Sequence, residues 1–178
     1  AEANFKSGQL FYNSDEYLLT INILKRFCNL CNNYDTRLPE AKWMLGKAYQ
    51  NTFQTDLSNS TFQEIINYHP KVFLYSVKAA YEIGNGYFNA GDYRQAEKYF
   101  LEVFDSIENI TPDNYVWMDT LLKLGELYYR LSIIEKNNPT PVKEYTSKAI
   151  KNLEELLLRY ENAPEHRLKA SNILAKIY

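Results

Sequence analysis

The sequence predicts an all-α protein, a right-handed α-solenoid of about four helical hairpins plus a terminal helix. Gly8, Gly46, Gly84 and Gly125 recur at intervals of 38, 38 and 41 residues. An aromatic follows three residues after each, as Phe11, Tyr49, Tyr87 and Tyr128, and Ala175 with Tyr178 repeats the pair at the end. Residues three and four apart share one helix face, so a small residue and an aromatic at this spacing mark a helix-packing stripe. A fixed period of this length marks a repeat array, in which each hairpin covers the apolar face of its neighbour.

Counting the recurring small residue as position 8, units start at Ala1, Pro39, Val77, Met118 and Leu168. The reading is a single domain, 1–178, with repeats of about 1–38, 39–76, 77–117 and 118–167 and a terminal helix over 168–178. In unit one, Asn13-Ser14-Asp15 breaks the hairpin. In unit two, Phe62, Ile65 and Pro70 fall at positions 24, 27 and 32, and Ser60/Gln63 and Thr61/Glu64 have capping-box spacing. The third unit has the fullest pattern: Ala80, Ile83, Gly84, Tyr87, Ala96, Phe100 and Val103 at positions 4, 7, 8, 11, 20, 24 and 27. Its hairpin breaks at Ala90-Gly91-Asp92, with Asp92 as N-cap. Unit four starts at Thr111-Pro112-Asp113, with proline in the first turn. It holds about twelve extra residues around Ile133–Pro141, read as an extended helix end plus a stiff loop. The second helix is then expected from near Pro141, with Ala149 and Leu153 in the roles of positions 20 and 24. That insertion reads either as tolerated surface variation or as a contact loop.

The composition agrees. With 46% hydrophobic residues the chain can build a core, and a net charge of −2 without a basic block argues against nucleic-acid binding. No apolar run approaches the roughly 18 residues that cross a bilayer. Met44 and Met118 are internal and the chain begins at Ala1, which reads as a processed chain or an excised fragment.

The small residue at 8, aromatic at 11, small residue at 20, large apolar residue at 24 and proline at 32 resemble the tetratricopeptide repeat. The resemblance covers the whole chain and is weakest in unit one, where Thr20 and Asn32 depart from the pattern. Each unit runs about four residues longer than the family's usual 34. The junction Tyr68-His69-Pro70, followed by Ala80, Gly84, Tyr87, Gly91-Asp92-Tyr93 and Ala96, is similar to bacterial cell-envelope members. This gives a lean towards the periplasm or cell envelope.

The resemblance implies a concave groove lined by positions 2, 5, 6, 9, 12 and 13 of each first helix. From these come the candidate partner-binding residues: Phe5, Gln9, Tyr12 and Asn13; Trp43, Lys47, Gln50 and Asn51; Tyr81, Asn85, Phe88 and Asn89; and Lys123, Glu126 and Arg130. Position 5 is aromatic in three units and position 13 is Asn in the same three. Aromatics supply contact area and amides pair with a peptide backbone in either sense. The competing readings are packing between hairpins for the rings and a helix-end role for the amides. The family's carboxylate clamp is a poor match, since Phe5 and Gln9 stand where it wants Lys and Asn.

Nothing points to catalysis. Nucleophile-elbow, phosphate-loop, zinc-protease and dinucleotide motifs are absent from the sequence. Cys28 and Cys31 form a CxxC late in a second helix, the end where the dipole does not activate a thiol, so packing is favoured over redox or metal roles. His69 and His166 read as cap or surface residues. No cofactor or metal is expected. The expected function is non-catalytic: a scaffold or adaptor that binds a segment of another protein. The alternatives are a self-associating module closed through the terminal helix, or a regulatory module of a larger protein.

Overall fold

A computed structural model of the chain describes residues 1–68, 73–106 and 115–178. Among these residues all regular structure is α-helical: α1 (Glu2–Asn13), α2 (Tyr17–Leu30), α3 (Leu38–Asn51), α4 (Thr55–Tyr68), α5 (Phe73–Ala90), α6 (Tyr93–Ser106), α7 (Tyr115–Ile134), α8 (Pro139–Arg159) and α9 (Pro164–Ile177). The chain divides into two compact units, Ala1–Ile83 and Gly84–Tyr178, and the division falls inside α5.

Unit one contains the hairpins α1–α2 and α3–α4 and the first part of α5. Its core joins Phe5, Ile21, Leu24 and Phe27 to Leu38, Ala41, Met44, Leu45, Ala48 and Tyr49. Each periodic glycine of unit one meets the residue sixteen positions later in its own hairpin. A Cβ on Gly8 would run into Leu24, and one on Gly46 would stand 2.5 Å from the Phe62 ring. Leu24 and Phe62 are fully buried. Position 8 is therefore the notch, and position 24 the knob that fills it.

The two hairpin turns of unit one share one construction. In α1–α2, Asp15 N–H donates to Tyr12 O and Glu16 N–H to Phe11 O; in α3–α4, Phe53 N–H donates to Gln50 O and Gln54 N–H to Tyr49 O. This double bond pattern is the Schellman closure, with a left-handed residue just past the helix end. Asp15 and Phe53 occupy that position with φ of 59° and 60°. Aspartate tolerates this region, but phenylalanine there is an outlier. The Phe53 ring gains little in return, being 93% exposed. Phe53→Gly should therefore raise stability by about 0.5 kcal/mol. Relief of the left-handed penalty of about 1–2 kcal/mol outweighs glycine's extra backbone entropy of about 0.5–1 kcal/mol. A thermal melt that fell would contradict this.

In unit two, Gly84 packs on Phe100 and Gly125 on Leu153. The α5–α6 turn repeats the same closure, with Gly91 at φ 81°. Asp92 caps α6 through Oδ1, which accepts from Gln95 N–H at 3.2 Å. The core includes Phe100, Val103, Leu121, Leu124, Leu127, Leu153 and Leu156.

Four expectations need correction. Ser60 and Thr61 do not cap a helix. They lie inside α4, and both hydroxyls donate to Leu57 O. The turn closes at Gln54, so the helix is already under way at Thr55. Second, α8 begins at Pro139, with Asn138 at the N-cap. A proline in the first turn loses no helical hydrogen bond. Third, the extra residues of unit four lengthen α7 to 20 residues and α8 to 21, leaving only 135–138 between the helices in place of a longer stiff loop. Fourth, α9 begins at Pro164, ahead of Leu168, for the same reason as α8. The readings at His69, Pro70 and Thr111-Pro112-Asp113 lie outside the described residues.

Candidate functional site

The first helices of unit one run parallel in a fixed register. Gln9 Nε2 donates to Glu40 Oε1 at 2.9 Å, and Tyr12 meets the Trp43 ring edge-on at 5.9 Å. Both pairs are 31 residues apart. Between α3 and α5 the step is 35: Lys78 Nζ stands 5.0 Å from the Trp43 ring centre and Lys47 Nζ lies 2.9 Å from Glu82 Oε1. Repetition with a constant offset puts the equivalent side chains of α1, α3 and α5 on one face.

That face combines aromatic and charged groups in partial burial. Burial, assisted by the Glu40 carboxylate that its hydroxyl contacts, pushes the Tyr75 phenol up to about 12. Burial pulls the Lys78 ammonium down, while Glu40 opposes the shift. Lys47 and Glu82 are only 25% and 12% exposed, so their pair is better insulated from solvent than an ordinary surface bridge. Glu40, Lys78 and Glu82 stand at groove positions 2, 2 and 6, where the sequence places them, but their pairings, and Tyr75 altogether, were missed. The signal that finds them is the cross-hairpin offset of about 31–35 residues, which single-unit alignment hides. Tyr75 also precedes Val77, from which the third repeat is counted.

The predicted residues take different places. Phe5, at 7% exposure, packs on Phe27 with ring centres 5.2 Å apart, and Tyr81 is 9% exposed. These rings support the face from beneath. Gln9, Tyr12, Trp43, Lys47 and Gln50 are half-buried on it, and Asn13 and Asn51 are exposed at the helix ends. Asn51 Nδ2 donates back to Lys47 O at 2.9 Å, a helix-end role that leaves its carbonyl oxygen outward. Trp43 Nε1 is buried without a hydrogen-bond acceptor.

In unit two, Phe88 is 3% exposed and lies under two cations. Lys123 Nζ is 4.4 Å and Arg130 Cζ 4.9 Å from its ring centre. Glu126 holds both: Arg130 Nη2 at 2.6 Å and Lys123 Nζ at 3.9 Å. Arg130 also donates to Tyr93 Oη at 3.2 Å. Asn89 is exposed, and Asn85 Oδ1 is buried without a donor.

Cys28 and Cys31 are free thiols that pack partly buried against the unit-one core. Burial pushes the Cys28 thiol up to about 11. Cys31, also raised by burial, donates to Asp35 Oδ2 at 3.4 Å. At pH 8 about one Cys28 in a thousand is thiolate, so alkylation followed by mass spectrometry should be slow and should accelerate tenfold per pH unit up to about 11. Because the folded pKa is the raised one, the linked stability is intact below the thiol's unfolded pKa and is lost as pH rises from there towards 11. No group of three metal-binding side chains occurs among the described residues. His166 neither caps α9 nor projects freely: its Nε2 lies 2.7 Å from Asp119 Oδ1, tying α9 to α7.

The fold and this face define a class: helical-hairpin repeat proteins whose first helices share a side. The sequence model of the tetratricopeptide repeat matches residues 40–71, spanning the Trp43, Gly46 and Phe62 hairpin. The match covers that one hairpin of the chain. Its structure is similar to the TPR-like repeats of a putative kinesin light chain from Podosopora anserina. The TM-score is 0.56 at 11% identity, over 98% of this chain and 95% of that one. A point variant of that same repeat protein gives 0.58 at 11% identity, over 99% and 92%. At this identity the likeness concerns the fold alone. No curated protein sequence matches the chain. Among the described residues no helix is long and apolar enough to cross a membrane.

Proposed function

We propose that this protein is a non-catalytic interaction module that binds a segment of another protein along the face of its first helices. The observation that carries the reading is the fixed register of Gln9–Glu40, Tyr12–Trp43, Trp43–Lys78 and Lys47–Glu82. It lays half-buried aromatics and paired charges along one continuous side of unit one. Charges already neutralised within the face favour a polar, weakly charged segment over a strongly acidic or basic one. Exposed Asn13 and Asn51 supply donors and acceptors for its backbone. A bound carbonyl would also satisfy the unpaired Trp43 Nε1 after a modest ring rotation. Lys123, Glu126 and Arg130 present the charged part of the corresponding face in unit two.

The test is isothermal titration calorimetry against a partner recovered by affinity capture. Trp43→Ala should cost about 2 kcal/mol, the effect of removing a central aromatic. Exposed Lys25→Ala on α2 should cost nothing measurable. Normal binding by a folded Trp43→Ala chain would end this reading. Self-association through the terminal helix is the second reading, favoured by Leu168 on α9 and Tyr178 at its end, which are 63% and 82% exposed.

A further inference from the structure

We propose that the hairpin-turn edge of unit one, centred on the Phe53 ring, is a second docking surface that takes a basic amphipathic segment of another protein. It uses none of the residues assigned to the first-helix face, so either reading can fail alone.

Phe53 strains the fold and gives it nothing in exchange. Its backbone is left-handed at φ 60° and its ring is 93% exposed. The equivalent turn positions carry Asp15 and Gly91, residue types that enter this conformation more readily. The turn therefore closes without a ring, and a strained residue that the fold does not need points to a role outside the fold. Leucines accompany it. Leu57 stands four residues on at 47% exposure, and Leu19 holds the same repeat position after the first turn at 43%, next to Leu18 at 68%. The third hairpin has exposed Gln95 at that position, so packing does not require a leucine there. Because α1 and α3 run parallel, both turns lie at one end of the unit. Large apolar side chains gathered at one exposed edge mark an interaction surface.

The border of this edge decides the partner's chemistry. Exposed Asp15, Glu16 and Asp56 lie beside the apolar residues, and residues 10–20 and 50–63 contain no Lys or Arg. Asp15 keeps its charge while accepting from Tyr17 Oη at 2.5 Å. The lysines that precede the two turns are already paired, Lys6 with Glu2 at 2.7 Å and Lys47 with Glu82 at 2.9 Å. Lys25 follows almost two turns beyond Leu19 on α2. An apolar centre with an acidic border fits a segment whose leucine-like residues are flanked by Lys or Arg. The same border repels an anionic lipid surface, which argues for a protein partner.

Fluorescence anisotropy of a labelled helical peptide of leucine and lysine, titrated with the 178-residue chain, tests this. The peptide should bind, and more weakly as salt screens the border. Its counterpart with glutamate for lysine should bind at least about tenfold more weakly. Phe53→Gly should weaken binding of the lysine peptide about tenfold or more, as loss of a central aromatic does, while melting no lower than the parent. Phe53→Asn, which also accepts a left-handed turn, should act alike. Loss of binding without loss of stability separates docking from structural support. Asp15→Asn with Asp56→Asn should weaken binding and flatten its salt dependence, and Trp43→Ala should leave it unchanged. Absence of binding, equal binding of the glutamate peptide, or undiminished binding by the Phe53→Gly chain would overturn the proposal. So would loss of binding in Trp43→Ala alone, which would seat the peptide on the first-helix face. Sedimentation velocity showing self-association that Phe53→Gly abolishes would also overturn it, by making a second copy the occupant.

Discussion

Gly46→Leu should unfold unit one or cost it about 3 kcal/mol or more in chemical denaturation, at the upper end of what overpacking costs. Even the first carbon of a side chain at this position would lie 2.5, 2.8 and 2.9 Å from three atoms of the Phe62 ring. That ring is fully buried and cannot swing into solvent. Leucine adds three more carbons where none fits. Alanine gives a graded version. The helix gains about 1 kcal/mol from Gly→Ala, which competes with the clash. At Gly84 the equivalent contacts are 2.9 and 3.0 Å to Phe100 and 3.1 Å to Tyr99 Cβ. Gly84→Ala should therefore be the milder of the two alanine variants. The reverse order would contradict the notch-and-knob packing.

Phe62→Ala should cost about 3–5 kcal/mol, the usual range for emptying a buried aromatic site. The ring is wholly inside and fills the space that Gly46 leaves. The double variant Gly46→Leu with Phe62→Ala should be more stable than the two single costs imply, because the new leucine enters the emptied volume. A coupling of about 1–3 kcal/mol is expected for groups in direct contact. Additive losses would mean that the two residues do not share that space.

The fold was legible because its grammar is local and periodic. A glycine, an aromatic three residues on and a large apolar residue in the role of position 24 identify each hairpin in the sequence. The failures occurred where chemistry does not advertise geometry. The turn at residues 51–54 has no Gly, and Phe53 takes a left-handed conformation that its type does not suggest. Ser60 and Thr61 have cap spacing, yet they sit in mid-helix with hydroxyls turned back on Leu57. The Asn137–Pro141 run reads as a loop, yet Pro139 opens α8.

The candidate face was only half legible. Position numbers placed Trp43, Lys47 and Gln9 correctly on first helices, but burial separates side chains with identical positions. Phe5 is inside, packed on Phe27, while Trp43 at the same position is half-buried against Tyr12 and Lys78. The pairing of Lys47 with Glu82 depends on the offset between neighbouring hairpins, which is set by helix packing and is not written in either helix.

Site-specific photocrosslinking tests the proposed binding face most directly. A photoreactive side chain would replace Gln50 on the first-helix face, or Lys25 on exposed α2, with the partner present. The face reading requires that the Gln50 probe capture the partner and the Lys25 probe fail. Capture from Lys25 with none from Gln50 would place the interaction on the second helices and contradict it.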